Sequence, residues 1–155
     1  FKCSEDTASN IIQTFFSRYP KAKQWLLDTQ KQARRNGYVK NLFGRIRRLP
    51  KIKGYDKEEI AEAERQAVNS PIQGGVADLV AMSMERIRKR LKEIHSGAWQ
   101  VLTVHDSIIF NCPEGEVETV KPIILEEANR EIPGVNVPFT VDIKVGRNWS
   151  LDDIS

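Results

Sequence analysis

Apolar residues recur along this chain at two periods, helical in some stretches and alternating in others, and the switches between them predict its elements. From Ser4 to Tyr19, Ile11, Ile12, Phe15 and Phe16 form a helical stripe, with Ser4 placed as N-cap. Pro20 suits the first position of a second helix, with Trp25, Leu26 and Ala33 inward and Asn36-Gly37 as its C-cap pair. Tyr38 to Phe43 and Ile46 to Leu49 read as a hairpin with Gly44 in the turn, ended by Pro50. Asp56 caps the next helix, and Glu59 three residues on makes a variant of the capping box. Pro71 lacks the N–H that a helix needs, which predicts a kink or a fresh N-terminus there. Beyond it lies the longest element, with Ile72, Val76, Leu79, Val80, Ser83, Ile87, Leu91 and Ile94 buried. Arg86, Lys89, Arg90 and Glu93 face water, and Gly97 is the stop.

The central stretch changes period. Val101 to Val104 and Ile108 to Phe110 are short, β-branched runs on either side of His105-Asp106, and the second run ends at Asn111, Cys112 and Pro113. They predict a hairpin with His105 and Asp106 at its tip. Glu116 to Glu131 is an amphipathic helix with Pro122 awkwardly inside it, and Val137 to Val145 alternates as a strand. Gly146 to Trp149 closes the ordered part. The sum is a single α+β domain over residues 1–155, a small antiparallel sheet packed against several helices, one of them long.

Composition narrows the class. A chain of 155 residues, 40% hydrophobic, is enough for one core, and no run approaches the ~20 apolar residues of a transmembrane helix. There is no secretory signal, and Cys3 and Cys112 make neither a disulfide framework nor a zinc site, so the expected setting is reducing and cytoplasmic. Net charge is +3 but uneven. Thr29 to Tyr55 holds nine Lys/Arg and no acid, the residues before it carry +1, and 56–155 carry −7. A concentrated basic segment on an acidic body predicts a polyanion partner, nucleic acid before others. Its densest part is Arg45, Arg47 and Arg48.

Two groups of residues bear on chemistry. Asp106, mounted on a hairpin tip, offers a hard carboxylate oxygen to a divalent cation, although Asp is also favoured in turns for its own sake. Arg65, Asn69 and Gln73 stand at i, i+4 and i+8, sharing one helical face beside the apolar stripe if the helix runs through Pro71. Their side chains suit phosphate oxygens and minor-groove acceptors, and equally an ordinary helix surface. Gly74-Gly75 costs a helix stability, so it predicts a close approach there, by a strand of nucleic acid or by another element.

These blocks carry a resemblance. Gly37-Tyr38-Val39…Leu42-Phe43-Gly44-Arg45…Leu49-Pro50, then Glu64-Arg65…Asn69-Ser70-Pro71-Ile72-Gln73-Gly74…Ala77-Asp78-Leu79, resemble segments of the family A DNA polymerases, the class that includes bacterial DNA polymerase I. Val104-His105-Asp106 is similar to the family's motif C, and Val145-Gly146…Asn148-Trp149 to its C-terminal signature. The blocks lie in register over essentially the whole chain. The resemblance implies a C-terminal palm-and-fingers part of a polymerase, with the motif C hairpin in the palm. It implies that Asp106 is one of two carboxylates holding a catalytic Mg²⁺ pair and that His105 contacts the primer end. Arg65, Asn69 and Gln73 would line the primer–template minor groove. The implied reaction is attack of a primer 3′-hydroxyl on the α-phosphate of a deoxynucleoside triphosphate.

Two departures qualify that reading. The family's other metal carboxylate and its nucleotide-binding helix lie upstream of Phe1, so the chain alone is expected to be inactive. Its expected partners are primer–template DNA, deoxynucleoside triphosphates and the N-terminal remainder of the polymerase, in the same or another chain, and no membrane. Ser107 stands where the DNA polymerases usually carry an acid, and His-Asp-Ser is the form associated with single-subunit RNA polymerases. The rival expectations are therefore an RNA-synthesising relative and a non-catalytic module that binds primer–template DNA.

Overall fold

A computed structural model describes residues 4–133 and 135–148. The chain divides into two compact units, Phe1–Gly75 and Val76–Ser155.

In the first unit, α1 spans Glu5–Arg18. Ser4 keeps an extended backbone while its Oγ accepts the Thr7 N–H at 3.2 Å, satisfying one of the N–H groups that a helix start leaves open. α2 (Pro20–Asn36) begins on Pro and ends as expected at Gly37, whose φ of 77° lets its N–H reach the Ala33 carbonyl at 2.7 Å. Ala33 is fully buried and Leu26 partly so, but Trp25 is exposed. The α1 stripe also stays exposed: none of that helix's residues is buried. An amphipathic helix buries only the surface that another element covers, and within this unit α1 packs against α2.

Strands β1 (Tyr38–Lys40) and β2 (Ile46–Arg48) pair antiparallel, with Val39 opposite Arg47, and Gly44 takes the left-handed conformation in the turn. Pro50 ends the hairpin by starting a short 3₁₀ turn, Pro50–Lys53. The core joins Ala33 of α2, Val39 and Leu49 of the hairpin region, Ile52 of the turn, and Ala63 and Ala67 of the helix that follows. Three of those six residues are alanine, so the elements approach closely around Leu49, the largest fully buried side chain of this unit.

α3 runs unbroken over Lys57–Glu93, 37 residues. Asp56 caps it, its Oδ1 accepting the N–H groups of Glu58 (2.8 Å) and Glu59 (3.2 Å). Glu59 does not fold back to complete the capping box; its carboxylate pairs with Lys51 at 2.9 Å. Pro71 starts no new helix. It deprives the ladder of one N–H, that facing the Ala67 carbonyl, and the intact turns on either side carry the helix through.

In the second unit, Ile87 and Leu91 of α3 form a core with Ala98 and Val120, and Phe110, Cys112, Ile124 and Ala128 pack against it. The expected stripe is correct at its centre and overextended at its ends. Ser83, Ile87 and Leu91 are buried, whereas Ile72, Val76 and Ile94 are exposed. Arg86 and Arg90 also depart from expectation, since they turn toward α4 (Val117–Ala128) and its buried Glu127 rather than to water. Their Nε atoms lie 4.0 and 3.5 Å from its carboxylate oxygens. Sequence periodicity places an Arg by its own helix and is blind to an acid about forty positions away.

The stop of α3 differs from the expectation as well. His95, at φ 53°, supplies the left-handed residue. Its N–H meets the Lys92 carbonyl (3.1 Å) and the Ser96 N–H meets the Leu91 carbonyl (3.0 Å), a Schellman closure built on a histidine. Gly97 is small for another reason. A Cβ there would lie 3.0 Å from Pro113 Cγ, and the Gly97 N–H faces the Glu116 carboxylate at 3.0 Å. That carboxylate also accepts the Ser96 hydroxyl.

α4 is shorter than the predicted 116–131, and a 3₁₀ turn, Glu114–Glu116, precedes it. Val137 to Val145 forms no strand, contrary to the alternation of its sequence. Alternation makes a strand only where a ladder partner is at hand. Here Val141 N–H is taken by the Asn129 side chain (2.9 Å) instead. Trp149 lies outside the described residues. Among the described residues no helix is long and apolar enough to cross a membrane.

Candidate functional site

The hairpin that carries His105 and Asp106 is built as the sequence predicts. β3 (Trp99–Val104) pairs antiparallel with β4 (Ser107–Asn111), and Val104 opposite Ser107 leaves a two-residue turn of His105 and Asp106. The register slips between Gln100 and Leu102, which leaves Val101 as a bulge. Beside it the Gln100 amide donates to the Met84 carbonyl of α3 at 2.7 Å, tying the base of the hairpin to a helix while its tip projects. His105 holds φ 56°, a conformation that costs a non-glycine residue about 1 kcal/mol and that gathers at working sites.

Both tip residues are exposed, and among the described residues neither side chain has a hydrogen bond or an ion pair. Asp106 therefore presents an uncommitted anionic oxygen, the donor type that Mg²⁺ selects. It fits such an ion as one ligand. No group of three or more His, Cys, Asp or Glu that could hold a metal is found among the described residues.

The first unit carries the polar and basic candidates. Arg65, Asn69 and Gln73 lie on one face of the unbroken α3, all three exposed, whereas the sequence pattern sets them at the border of the core. The close approach expected at the glycine pair is not found: a Cβ on Gly74 would meet Asn41 Nδ2 of the hairpin loop at 3.5 Å, an ordinary contact, and one on Gly75 would meet nothing within 4 Å among the described residues. That loop is organised by the same side chain: Asn41 Oδ1 accepts the N–H groups of Phe43 (3.0 Å) and Arg45 (2.9 Å). Arg45 at the end of the loop and Arg47 and Arg48 of β2 are exposed. Elsewhere in the basic segment, acids of α3 hold cations: Arg34 is paired with Glu64 and Lys51 with Glu59.

Sequence reasoning missed Asn41, Glu64 and Glu127. Each acts across a long sequence gap or through a loop, where periodicity gives no signal. Asn41 alone had one, since Asn followed by a Gly-containing turn is a known loop organiser.

Comparison with known proteins supplies the rest. Residues 1–151 match DNA polymerase family A. DNA polymerase I of Caldicellulosiruptor bescii is 38% identical, over 96% of this chain and 17% of its own length. The DNA polymerase of Bacillus phage SP01 is 39% identical over 94% of this chain and 17% of its own. The chain thus spans about a sixth of these relatives. Among solved structures, the POL domain of Pol1 from M. smegmatis, in complex with DNA primer-template and dNTP, matches with a TM-score of 0.89. That match has 30% identity and covers 96% of this chain and 26% of that one. A family match over nearly every residue, with the fold preserved, leaves one assignment: the chain belongs to DNA polymerase family A.

Proposed function

We propose that this chain is the C-terminal palm-and-fingers part of a template-directed DNA polymerase, and that residues 1–155 work as one piece of it. The observation that carries the reading is the exposed, unpaired Asp106 at the tip of a tied-down hairpin, within a chain matched to the family over residues 1–151. In this reading the Asp106 carboxylate is one of two that hold Mg²⁺, the other lying in the remainder of the polymerase. When bound, the metal supplies positive charge to the attacking and leaving oxygens of the transferred phosphate. His105, fixed in a strained turn, contacts the primer end and keeps its 3′-hydroxyl near the α-phosphate of the incoming deoxynucleoside triphosphate. Arg65, Asn69 and Gln73 read minor-groove acceptors, which sit at similar places in every correct pair, so they sense shape rather than sequence. Arg45, Arg47 and Arg48 hold phosphates.

One carboxylate does not complete the metal site, so the chain by itself is inactive. Primer extension tests this directly. The 155-residue chain alone should give no product, and adding a polypeptide with the upstream carboxylate and the nucleotide-binding helix should restore synthesis. Robust extension by the chain alone would sink the reading. The acid-free basic segment favours a second reading, a non-catalytic primer–template DNA-binding module. Tight DNA binding, with no synthesis on adding the upstream polypeptide, would decide for it.

A further inference from the structure

α1 is well made as a helix and badly placed as one. Ser4 caps it, Glu5 and Asp6 occupy its first turn and Arg18 its last, each complementing the helix dipole. Yet Ile11, Ile12 and Phe15 expose 59, 55 and 51% of their surface, and Tyr19 just beyond exposes 53%. Ala8, Ile11, Ile12, Phe15, Phe16 and Tyr19 fall on one stripe, and Phe15 sits with its ring centroid 5.4 Å from Phe16 and 5.0 Å from Tyr19. Single exposed apolar residues are ordinary; a contiguous, ordered stripe marks a surface that something covers.

We infer that this stripe is the docking face for the part of the polymerase outside this chain, a protein surface of complementary apolar character. The inference rests on the reading of the chain as one piece of that enzyme. Length names the occupant. The chain spans 17% of its curated relatives and 26% of the solved POL domain whose fold it shares, so most of the surface able to cover α1 belongs to residues outside it. Charge narrows the choice further. The stripe itself holds no charged residue, although Lys23 of α2 reaches its edge with Nζ 6.0 Å from the Phe16 ring centroid, and the dense group of cations that suits DNA lies in Thr29 to Tyr55. The opposite face of α1 offers Asn10, Gln13, Thr14 and Ser17 rather than the Lys/Arg array of a membrane-surface helix.

Maleimide labelling tests the assignment. In a Cys3→Ser, Cys112→Ser background, Ile12→Cys probes the stripe and Gln13→Cys, on the far side of the helix, is the control. Each is labelled alone and mixed with the polypeptide that carries the upstream carboxylate, while primer extension in the same sample reports whether the enzyme has assembled. Assembly should slow labelling of Ile12→Cys at least about tenfold and leave Gln13→Cys unchanged. Phe15→Asp, with helicity checked by circular dichroism, should raise the partner concentration for half-maximal extension by about tenfold or more. Restored extension with unchanged labelling at Ile12→Cys would overturn the docking face and leave the polymerase reading standing. Neither extension nor protection would overturn both. Protection that grows with the concentration of the chain alone would name a second copy as the occupant and overturn the inference.

Discussion

The two units divide charge in opposite ways. Phe1–Gly75 carries fifteen Lys/Arg against eight Asp/Glu, a net of +7, and Val76–Ser155 carries nine against thirteen, a net of −4. In the first, acids serve the cations. Glu64 and Glu59 hold Arg34 and Lys51, while Arg47 and Arg48 stand outward without a partner among the described residues. In the second the roles reverse: Arg86, Arg90 and Arg130 gather at the buried Glu127, and the acid at the hairpin tip, Asp106, is left unpaired. In these clusters the minority charge makes the tie, while the majority charge at Arg47, Arg48 and Asp106 stands outward. A cationic surface suits a phosphate backbone, and an anionic tip suits a divalent cation.

The largest effect expected from that contrast is at the tip. Asp106→Asn keeps size and hydrogen bonding and removes only the charge. In the assembled enzyme it should cost about 10²-fold or more in turnover, as loss of an electrostatic element at a reacting centre commonly does, and leave DNA affinity nearly unchanged. Single-turnover extension and a gel-shift titration measure the two arms. A loss mainly in DNA affinity would erase the division between the units.

Next in size is the internal tie of the acidic unit. Glu127→Ala removes the buried anion and leaves Arg90 with the exposed Glu93 and Glu126, and Arg86 with the Ser83 hydroxyl. Breaking a well-buried pair costs about 3–5 kcal/mol, but these side chains are 23 and 41% exposed, so about 2 kcal/mol is expected by denaturant unfolding. Among the described residues Arg86 Nε, Arg90 Nε and Glu127 Oε2 are buried without a hydrogen bond, so the tie is Coulombic rather than a well-formed fork. By contrast Arg88 lies at the surface beside Glu85 and holds its carboxyl down to about 2, a pairing that solvent makes weak. A Glu127→Ala variant as stable as the parent would mean the cluster is incidental.

On the basic side the expected changes are graded. Replacing Arg45, Arg47 and Arg48 by Ala should weaken primer–template binding about tenfold at moderate salt. The slope of log K against log salt should flatten by about one for each phosphate that is no longer neutralised. An unchanged slope would return these residues to solubility. Asn69→Ala and Gln73→Ala should change extension from mismatched primer ends by a different factor than from matched ones. Equal kinetics on both, with a lowered melting temperature, would make them ordinary helix surface.

Much of the fold is legible in the chain, for reasons that particular residues make plain. Ser4, Gly37, Gly44 and Asp56 act through their own backbone neighbours, so their caps and turns can be read directly. The motif hairpin is readable because strand, turn and strand are contiguous. What fails depends on partners that local periodicity does not carry. Periodicity sets Arg86 and Arg90 in water because Glu127 is invisible to it. Val137 to Val145 lacks the strand that its alternation predicts, and Ile11, Ile12 and Phe15 lack the cover that their stripe predicts. The candidate site is half legible: Asp106 can be named, but nothing in the sequence suggests that Gln100 anchors its hairpin.

The smallest effect, and the sharpest check on the metal assignment, concerns Ser107. It is the first residue of β4, exposed, and paired through its backbone to Val104, so its side chain contributes little to the hairpin. A neutral hydroxyl is a poorer ligand for a hard cation than a carboxylate. Ser107→Ala should therefore change turnover less than about threefold, the scale of one neutral hydrogen bond that water can replace. Ser107→Glu should be tolerated, because the site is open to solvent and the added charge has the sign that attracts metal. The quantity to measure is the ratio of the Asp106→Asn and Ser107→Ala losses at saturating Mg²⁺, expected to exceed about thirty given the two estimates. If the two defects are large and equal, the carboxylate has no special role, and the acidic unit's outward charge must serve something other than a metal.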